Sequence, residues 1–253
     1  MVEAASRLSD AWLRGLSLLG FFVFWQLAAV LLAQPLLPSP TVVFANLWGH
    51  VMEGELLYHL GVTLARVAVS FFIALVIGTA IGILMGRSSR VDGALDGMLV
   101  LGLNIPALVT IILCYIWFGL TEAAAVTAVA LNKIPTVVVT VREGARAVDP
   151  ELMEVARIYR IGPLRTLMRV YLPQLYPYLM AAARSGLALI WKIVLVVELL
   201  GRSNGVGFQI GTYFQFFDIT SILAYTLAFA GVILIIEASA VRPLERHLSR
   251  WRP

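Results

Sequence analysis

Long apolar stretches separated by short clusters of arginine and proline set the pattern of this chain. Six of them, at 16–33, 62–85, 95–119, 123–141, 175–200 and 222–241, are long enough for the hydrocarbon core of a bilayer, which takes roughly 20 helical residues. This pattern predicts an all-α polytopic membrane protein with about six transmembrane helices, which returns both termini to the same side. One segment breaks the pattern. Residues 149–173, DPELMEVARIYRIGPLRTLMRVYLP, form the only long charged helical stretch.

Within that stretch Asp149 can accept hydrogen bonds from the free amides of a helix start, Pro150 suits the first helical position, and Glu151 complements the positive end of the dipole. Leu152, Val155, Ala156 and Tyr159 recur at helical spacing, with Glu151, Glu154, Arg157 and Arg160 on the remainder, until Gly162 and Pro163 stop the helix. A second helix starts at Pro163. It carries Leu164, Leu167, Met168, Tyr171 and Leu172 on one side, Arg165 and Arg169 on another, and is broken at Pro173. Periodicity alone would also suit an ordinary amphipathic helix lying at a membrane surface.

Composition narrows the classes. At 253 residues, 60% hydrophobic and 13% charged, the chain has more apolar surface than a soluble domain of this length buries. Its net charge of +4 does not point to nucleic acid, because the arginines sit at the ends of apolar runs. Arg7, Arg14, Arg87, Arg90, Arg142, Arg146, Arg157, Arg160, Arg165, Arg169, Arg242, Arg246, Arg250 and Arg252 fall on one side and only Arg202 on the other. By the positive-inside rule the former is cytoplasmic, and it holds both termini and the 149–173 segment. The first run follows Arg7 and Arg14, but no A-x-A site precedes Gln34, which favours a retained helix over a cleaved signal peptide.

The single cysteine, Cys114, lies in an apolar run, and His50 and His59 have no metal-site spacing with other ligands, so they read as packing and interfacial residues and no metal is expected. Lys133 and Lys192 are the only lysines and neither follows a glycine; without a GxxxxGK[ST] loop the chain is not expected to hydrolyse ATP itself. Ser185 and Ser239 lack a histidine and carboxylate constellation, so the chain reads as a non-enzyme.

Several positions carry more specific expectations. The turn Leu36-Leu37-Pro38-Ser39-Pro40 is rigid and leads to residues 41–57, expected at the outer membrane surface. Gly78, Gly82 and Gly86 recur every four residues and make a helix face for close packing. Arg66, near the outer end of its span, either snorkels outward, the favoured reading, or faces the protein interior. Asn104-Ile105-Pro106 predicts a kink, and kinks often line a pathway. Lys133 sits beside a break at Pro135, and Lys192 lies inside the fifth run. Either these lysines pair across helices with Glu198 and Glu237, or they face the pathway and supply a positive field for an anion. The candidate pathway set is Asn104, Pro106, Lys133, Lys192 and Glu198. The glycine-rich 201–208, followed by Tyr213, Phe214, Phe216 and Phe217, reads as an external loop that helps close that pathway, and 242–253 as a basic surface anchor.

The run Glu154-Val155-Ala156, then Gly162, then Leu172-Pro173 resembles the signature cytoplasmic loop of permease subunits of binding-protein-dependent ABC importers; Val155 stands where that family most often has alanine. The LPSP turn, the proline-containing third span ending in Trp117-Phe118-Gly119, and the glycine-rich loop resemble the taurine, alkanesulfonate and nitrate branch, with Ala107 where a second proline is common. The resemblance implies a type I ABC importer permease fold, MetI-like, with 1–253 as a single transmembrane permease domain and 149–173 as its cytoplasmic coupling segment. It implies that Glu154, Ala156, Arg157, Gly162, Leu172 and Pro173 couple the chain to a partner ATPase that binds ATP and Mg, this subunit holding no cofactor. It further implies a second permease copy, two cytoplasmic ATPase subunits and an extracytoplasmic binding protein in a bacterial plasma (inner) membrane, passing a small anionic solute. The rival reading is an autonomous secondary transporter or channel, resting on intramembrane Lys133, Lys192, Glu198 and Glu237; it would need no docking helix and often shows inverted repeats, which the sequence lacks.

Overall fold

The computed structural model describes residues 2–241 and Pro243, with side chains described at 12, 13, 15–239 and 243. The side chains of Arg7, Arg14, Arg242, Arg246, Arg250 and Arg252, and the anchor expected at 242–253, lie outside the described residues apart from Pro243. Among the described residues every regular element is helical. The order is α1 (Val2–Leu32), α2 (Pro40–Met52), α3 (Leu56–Arg87), α4 (Ser89–Asn104), α5 (Ala107–Phe118), α6 (Glu122–Arg146), α7 (Pro150–Ile158), α8 (Pro163–Thr166), a π-helical turn (Leu167–Tyr171), α9 (Leu172–Gly201), α10 (Val206–Gln215) and α11 (Ile219–Ile236), then a second π-helical turn (Glu237–Val241).

Five stretches are long and apolar enough to cross a membrane, and the pair α4 and α5, bent by 98° at their junction, makes up to six. The expected kink is therefore a full break. Pro106 offers no N–H and forces Ile105 into extended backbone, so α4 closes with the Ile105 amide bonded to Leu101 O at 3.1 Å and α5 starts afresh at Ala107.

The chain forms two compact units, one of Met1–Leu57 with Gln209–Gly231 and one of Tyr58–Phe208 with Val232–Pro253. In the first, the proline turn is fixed by Trp25 Nε1 donating to Pro38 O at 3.1 Å, and Pro40 opens α2 as an N-terminal proline should. Further along α2, His50 Nε2 lies 3.1 Å from Ser221 Oγ and beside the Tyr213 and Tyr225 rings.

The second unit is built around α6, whose small residues Ala124, Ala125, Ala128, Gly144 and Ala145 are buried together with Val137, Val138 and Val141. The glycine stripe of α3 lies directly against it: a Cβ at Gly78 would come within 2.7 Å of Val137, one at Gly82 within 2.8 Å of Val141, and one at Gly86 would collide with Ala145. With no hydrophobic effect to drive helices together in lipid, such backbone approach supplies the packing contacts. Pro135 does not break α6, contrary to expectation. Its ring faces Gly102 of α4, where a side chain would stand 3.0 Å from Cγ, and Thr136 Oγ1 bonds Lys133 O at 2.9 Å.

Nor does Pro173 break the chain. The helical run from Pro163 continues to Gly201 as one candidate span. Just before the proline the ladder has already slipped, with Leu172 N bonding Leu167 O five residues back. The widened π turn makes room for a ring that has no N–H to give.

Candidate functional site

The start of α3, the start of α6 and the end of α9 lie at one end of the second unit, and there a polar knot forms. Arg66, 5% exposed, spends all five N–H groups: Nε and Nη2 on Glu122 at 2.8 and 2.6 Å, Nη1 on Glu198 Oε1 at 2.7 Å and Asn204 O at 2.9 Å, and Nη2 also on Asn204 Oδ1. Glu198 is fully buried, and its other oxygen accepts from Thr63 Oγ1 at 2.9 Å and Gly207 N at 2.8 Å. Thr63 Oγ1 in turn accepts from Val206 N at 2.8 Å, and His59 Nδ1 accepts from Gly205 N at 2.9 Å, which places the ring proton on Nε2. Arg202 donates to Glu122 Oε1 at 2.6 Å and to Leu120 O.

The four charged groups sum to zero, and nearly every donor is matched. A buried pair of this kind is retained because each partner makes the other tolerable; removing one alone leaves an uncompensated charge, at a cost of about 3–5 kcal/mol. Glycine is required where the loop crosses the knot. Gly205 has φ +106°, and a side chain there or at Gly207 would run into Glu198.

These contacts correct three expectations. Arg66 faces the interior and does not snorkel. His59 is buried in the knot and is not an interfacial residue. Glu198 is held by Arg66, so it partners neither lysine. Sequence inspection missed the cluster as such, although its signal was available: the six-span topology alone sends Arg66, Glu122 and Glu198 to the same end.

The opposite end holds the 149–173 segment. Asp149 Oδ1 accepts from Glu151 N at 2.8 Å, as the capping pattern predicts, and Asp149 N donates to Gln174 Oε1 at 2.8 Å, which fastens α7 to the start of α9. Of the stripe along α7, Ala156 alone is buried; Leu152 and Val155 are each 47% exposed, Ile158 71% and Tyr159 77%.

The end of α7 also differs from expectation. Ile161 N bonds Ala156 O at 2.9 Å and Arg160 N bonds Arg157 O at 3.0 Å, the paired bonds of a Schellman motif. The left-handed residue at its centre is Arg160, φ +51°, and not Gly162. Gly162 sits in extended backbone at φ −60°, ψ 152°, with open space where a side chain would go. Its glycine is thus not needed by this chain's own fold. Glu154 and Arg157 are exposed; Leu172 and Pro173 lie at the entry to α9.

In the span interior, Lys133 is 2% exposed, and its Nζ has no hydrogen-bond partner among the described residues; its stem runs past Gly186, where a Cβ would stand 3.2 Å from Cε. Lys192 is on an exposed face of α9, as are Asn104 and Pro106 at the bend between α4 and α5. Glu237 lies with Arg184 and Trp191 around a small cavity of about 110 Å³. The structure therefore does not bring the two lysines together, and among the described residues neither forms an ion pair.

Multiple spans, one of them broken, a charge-locked loop at one end and an amphipathic helix left uncovered at the other are the features of a membrane-embedded subunit of a transport system. The chain belongs to the family described as binding-protein-dependent transport system inner membrane component, whose model matches residues 74–246. It is 32% identical, over 95% of its length and 88% of the relative, to a Bacillus subtilis permease protein named for aliphatic sulfonates transport, SsuC. It is 28% identical to the taurine transport system permease protein TauC of Escherichia coli, covering 90% of this chain and 85% of that one. A bicarbonate transport system permease protein, CmpB of Synechococcus elongatus, is 25% identical over 92% of this chain and 86% of its own. In fold it is similar to a chain of the MetNI methionine ABC transporter in an inward-facing conformation, with a TM-score of 0.68, 19% identity, and coverage of 79% of this chain and 98% of that chain. The protein is a multi-pass membrane permease subunit of an ABC transport system, and the autonomous carrier reading falls away.

Proposed function

We propose that this chain forms the translocation pathway of an importer in the bacterial plasma membrane, and that α7 is the helix through which a cytoplasmic ATPase drives it. The observation that carries this reading is the uncovered apolar stripe Leu152, Val155, Ile158 and Tyr159 on a helix capped at both ends and fastened at its start to α9. A short helix so exposed has its partner outside the chain. In this reading a second copy of the chain completes the pathway, two ATPase subunits hold ATP and Mg, and a binding protein delivers solute at the knot end. ATP binding then moves the paired α7 helices and turns the pathway outward; hydrolysis resets it.

The arginine asymmetry supports the termini, α7 and the α8 region as cytoplasmic, with the loop around Arg202 outside. Glu154, Gly162 and the turn that follows lie at the docking surface, with the buried Ala156 seating α7 from behind. The open space at Gly162 suits close approach by another protein, since no atom of the described residues uses it. A small anion is the proposed solute. The relatives named for sulfonates, taurine and bicarbonate suggest it, and Lys192 and Asn104 are exposed cationic and polar groups that a second copy would cover.

Co-purification of the chain with its ATPase tests the docking reading. Val155→Asp places a charge in the stripe without touching this chain's core, and it is expected to weaken association by about 2 kcal/mol, roughly thirtyfold. Undiminished association would refute the assignment.

A further inference from the structure

The side of α7 turned away from its exposed stripe closes a cavity of about 560 Å³, and its lining is unlike that of a docking groove. Arg87, the last residue of α3, and Arg157 of α7 border it, with Tyr171 and the apolar Met153, Leu164 and Leu167. The Arg87 guanidinium lies over the Tyr171 ring, 5.2 Å from its centroid, and among the described residues neither arginine has a carboxylate partner. Arg142 and Arg146 at the same end are by contrast engaged with Asp92, Asp96 and Glu143. The Tyr171 side chain is 3% exposed, and among the described residues its hydroxyl has no hydrogen-bond partner. Two exposed arginines without carboxylate partners, bordering one cavity with an apolar wall, suit an anion that also carries apolar groups.

Position decides the source of that anion. The cavity lies where the α3 span ends and the span leading into α9 begins, which is the depth of lipid headgroups, and half of its named lining is aliphatic. We propose that this cavity binds the phosphate of an anionic phospholipid, with Arg87 and Arg157 on the phosphate oxygens and the first acyl carbons against Met153, Leu164 and Leu167. Basic pockets between spans at a membrane face are suited to this chemistry. A lipid seated there wedges α7 against the span ends, from the face opposite the one offered to the ATPase. The inference rests on reading these helices as spans, and it is independent of which protein docks on α7.

Native mass spectrometry of the purified chain in detergent, without any ATPase, tests it. Phosphatidylglycerol is expected to stay bound at detergent concentrations that strip phosphatidylethanolamine. Arg87→Gln with Arg157→Gln should weaken phosphatidylglycerol retention about thirtyfold. Arg87→Lys with Arg157→Lys, which keeps both charges, should restore most of it and show that the fold is intact. Equal retention of the two lipids, or full retention by the double glutamine variant, would overturn the proposal. So would inorganic phosphate binding alone and displacing the lipid, since the site would then take a free anion. Because the measurement omits the ATPase, a failure here leaves the docking reading untouched, and a failure of docking leaves lipid retention unchanged.

Discussion

The two ends of the second unit solve opposite problems. At the knot end every charge is matched within the chain: Arg66 and Arg202 against Glu122 and Glu198, with the glycine-rich loop bonded into the same network. At the other end Arg87 and Arg157 lack carboxylate partners among the described residues, and the apolar stripe of α7 is uncovered. The difference teaches where the molecule is finished by its own residues and where it waits for others. A buried charge network is intolerant of loss, whereas exposed groups are inexpensive to change in isolation and consequential only when a partner arrives.

The largest effect is expected at Arg66. Arg66→Met strands Glu198 in an apolar interior and should destabilise the chain by about 3–5 kcal/mol, seen as a collapse of the thermal unfolding temperature in detergent. Adding Glu198→Gln should recover much of that loss. Equal stability of Arg66→Met and the parent would break the comparison outright.

Smaller, but still at the knot, Gly205→Ala should cost about 1–3 kcal/mol, because the backbone at φ +106° disfavours any side chain and the new methyl meets Glu198. The same assay reads it. At the α7 end the sign reverses. Arg160→Gly removes the strain of a left-handed arginine at a modest entropic cost, for a net gain below about 1 kcal/mol. Slower amide exchange over 159–162 is the expected signature; faster exchange would mean that Arg160 is held there by contacts that outweigh the strain. Smallest of all, Gly162→Ala should change the isolated chain's stability by less than about 0.5 kcal/mol, as for any open surface position.

This contrast also explains what could be read from the sequence. The spans were legible because lipid demands long apolar helices whose backbone bonds are satisfied internally. The α7 start was legible because Asp149 and Pro150 act locally, and the glycine stripe because its spacing is itself the packing face. Pro106 was legible as a distortion, though not as a break of 98°. What escaped depends on distance in sequence. Arg66 and Glu198 meet across 132 residues, so each was weighed alone, as a snorkelling side chain and as a partner for lysine. Pro135 failed to break its helix because its ring packs on a glycine of α4, and Pro173 because the π turn directly before it had already widened the ladder, which residue type alone does not announce. Gly162 invited the usual role of a helix-stopping glycine, yet the helix stops two residues earlier on Arg160, and nothing in the local sequence announces that exchange.

The central claim is that the end with unmet surface meets the ATPase, while the self-contained end faces outward. Single cysteines in a Cys114→Ala background test it directly, through Val155→Cys on the α7 stripe and Ser203→Cys in the knot loop, both exposed positions. With the chain co-expressed with its ATPase and treated with a short bifunctional maleimide, Val155→Cys should cross-link to the ATPase, and Ser203→Cys should instead be labelled from outside intact cells. An ATPase adduct through Ser203→Cys, with none through Val155→Cys, would contradict the account.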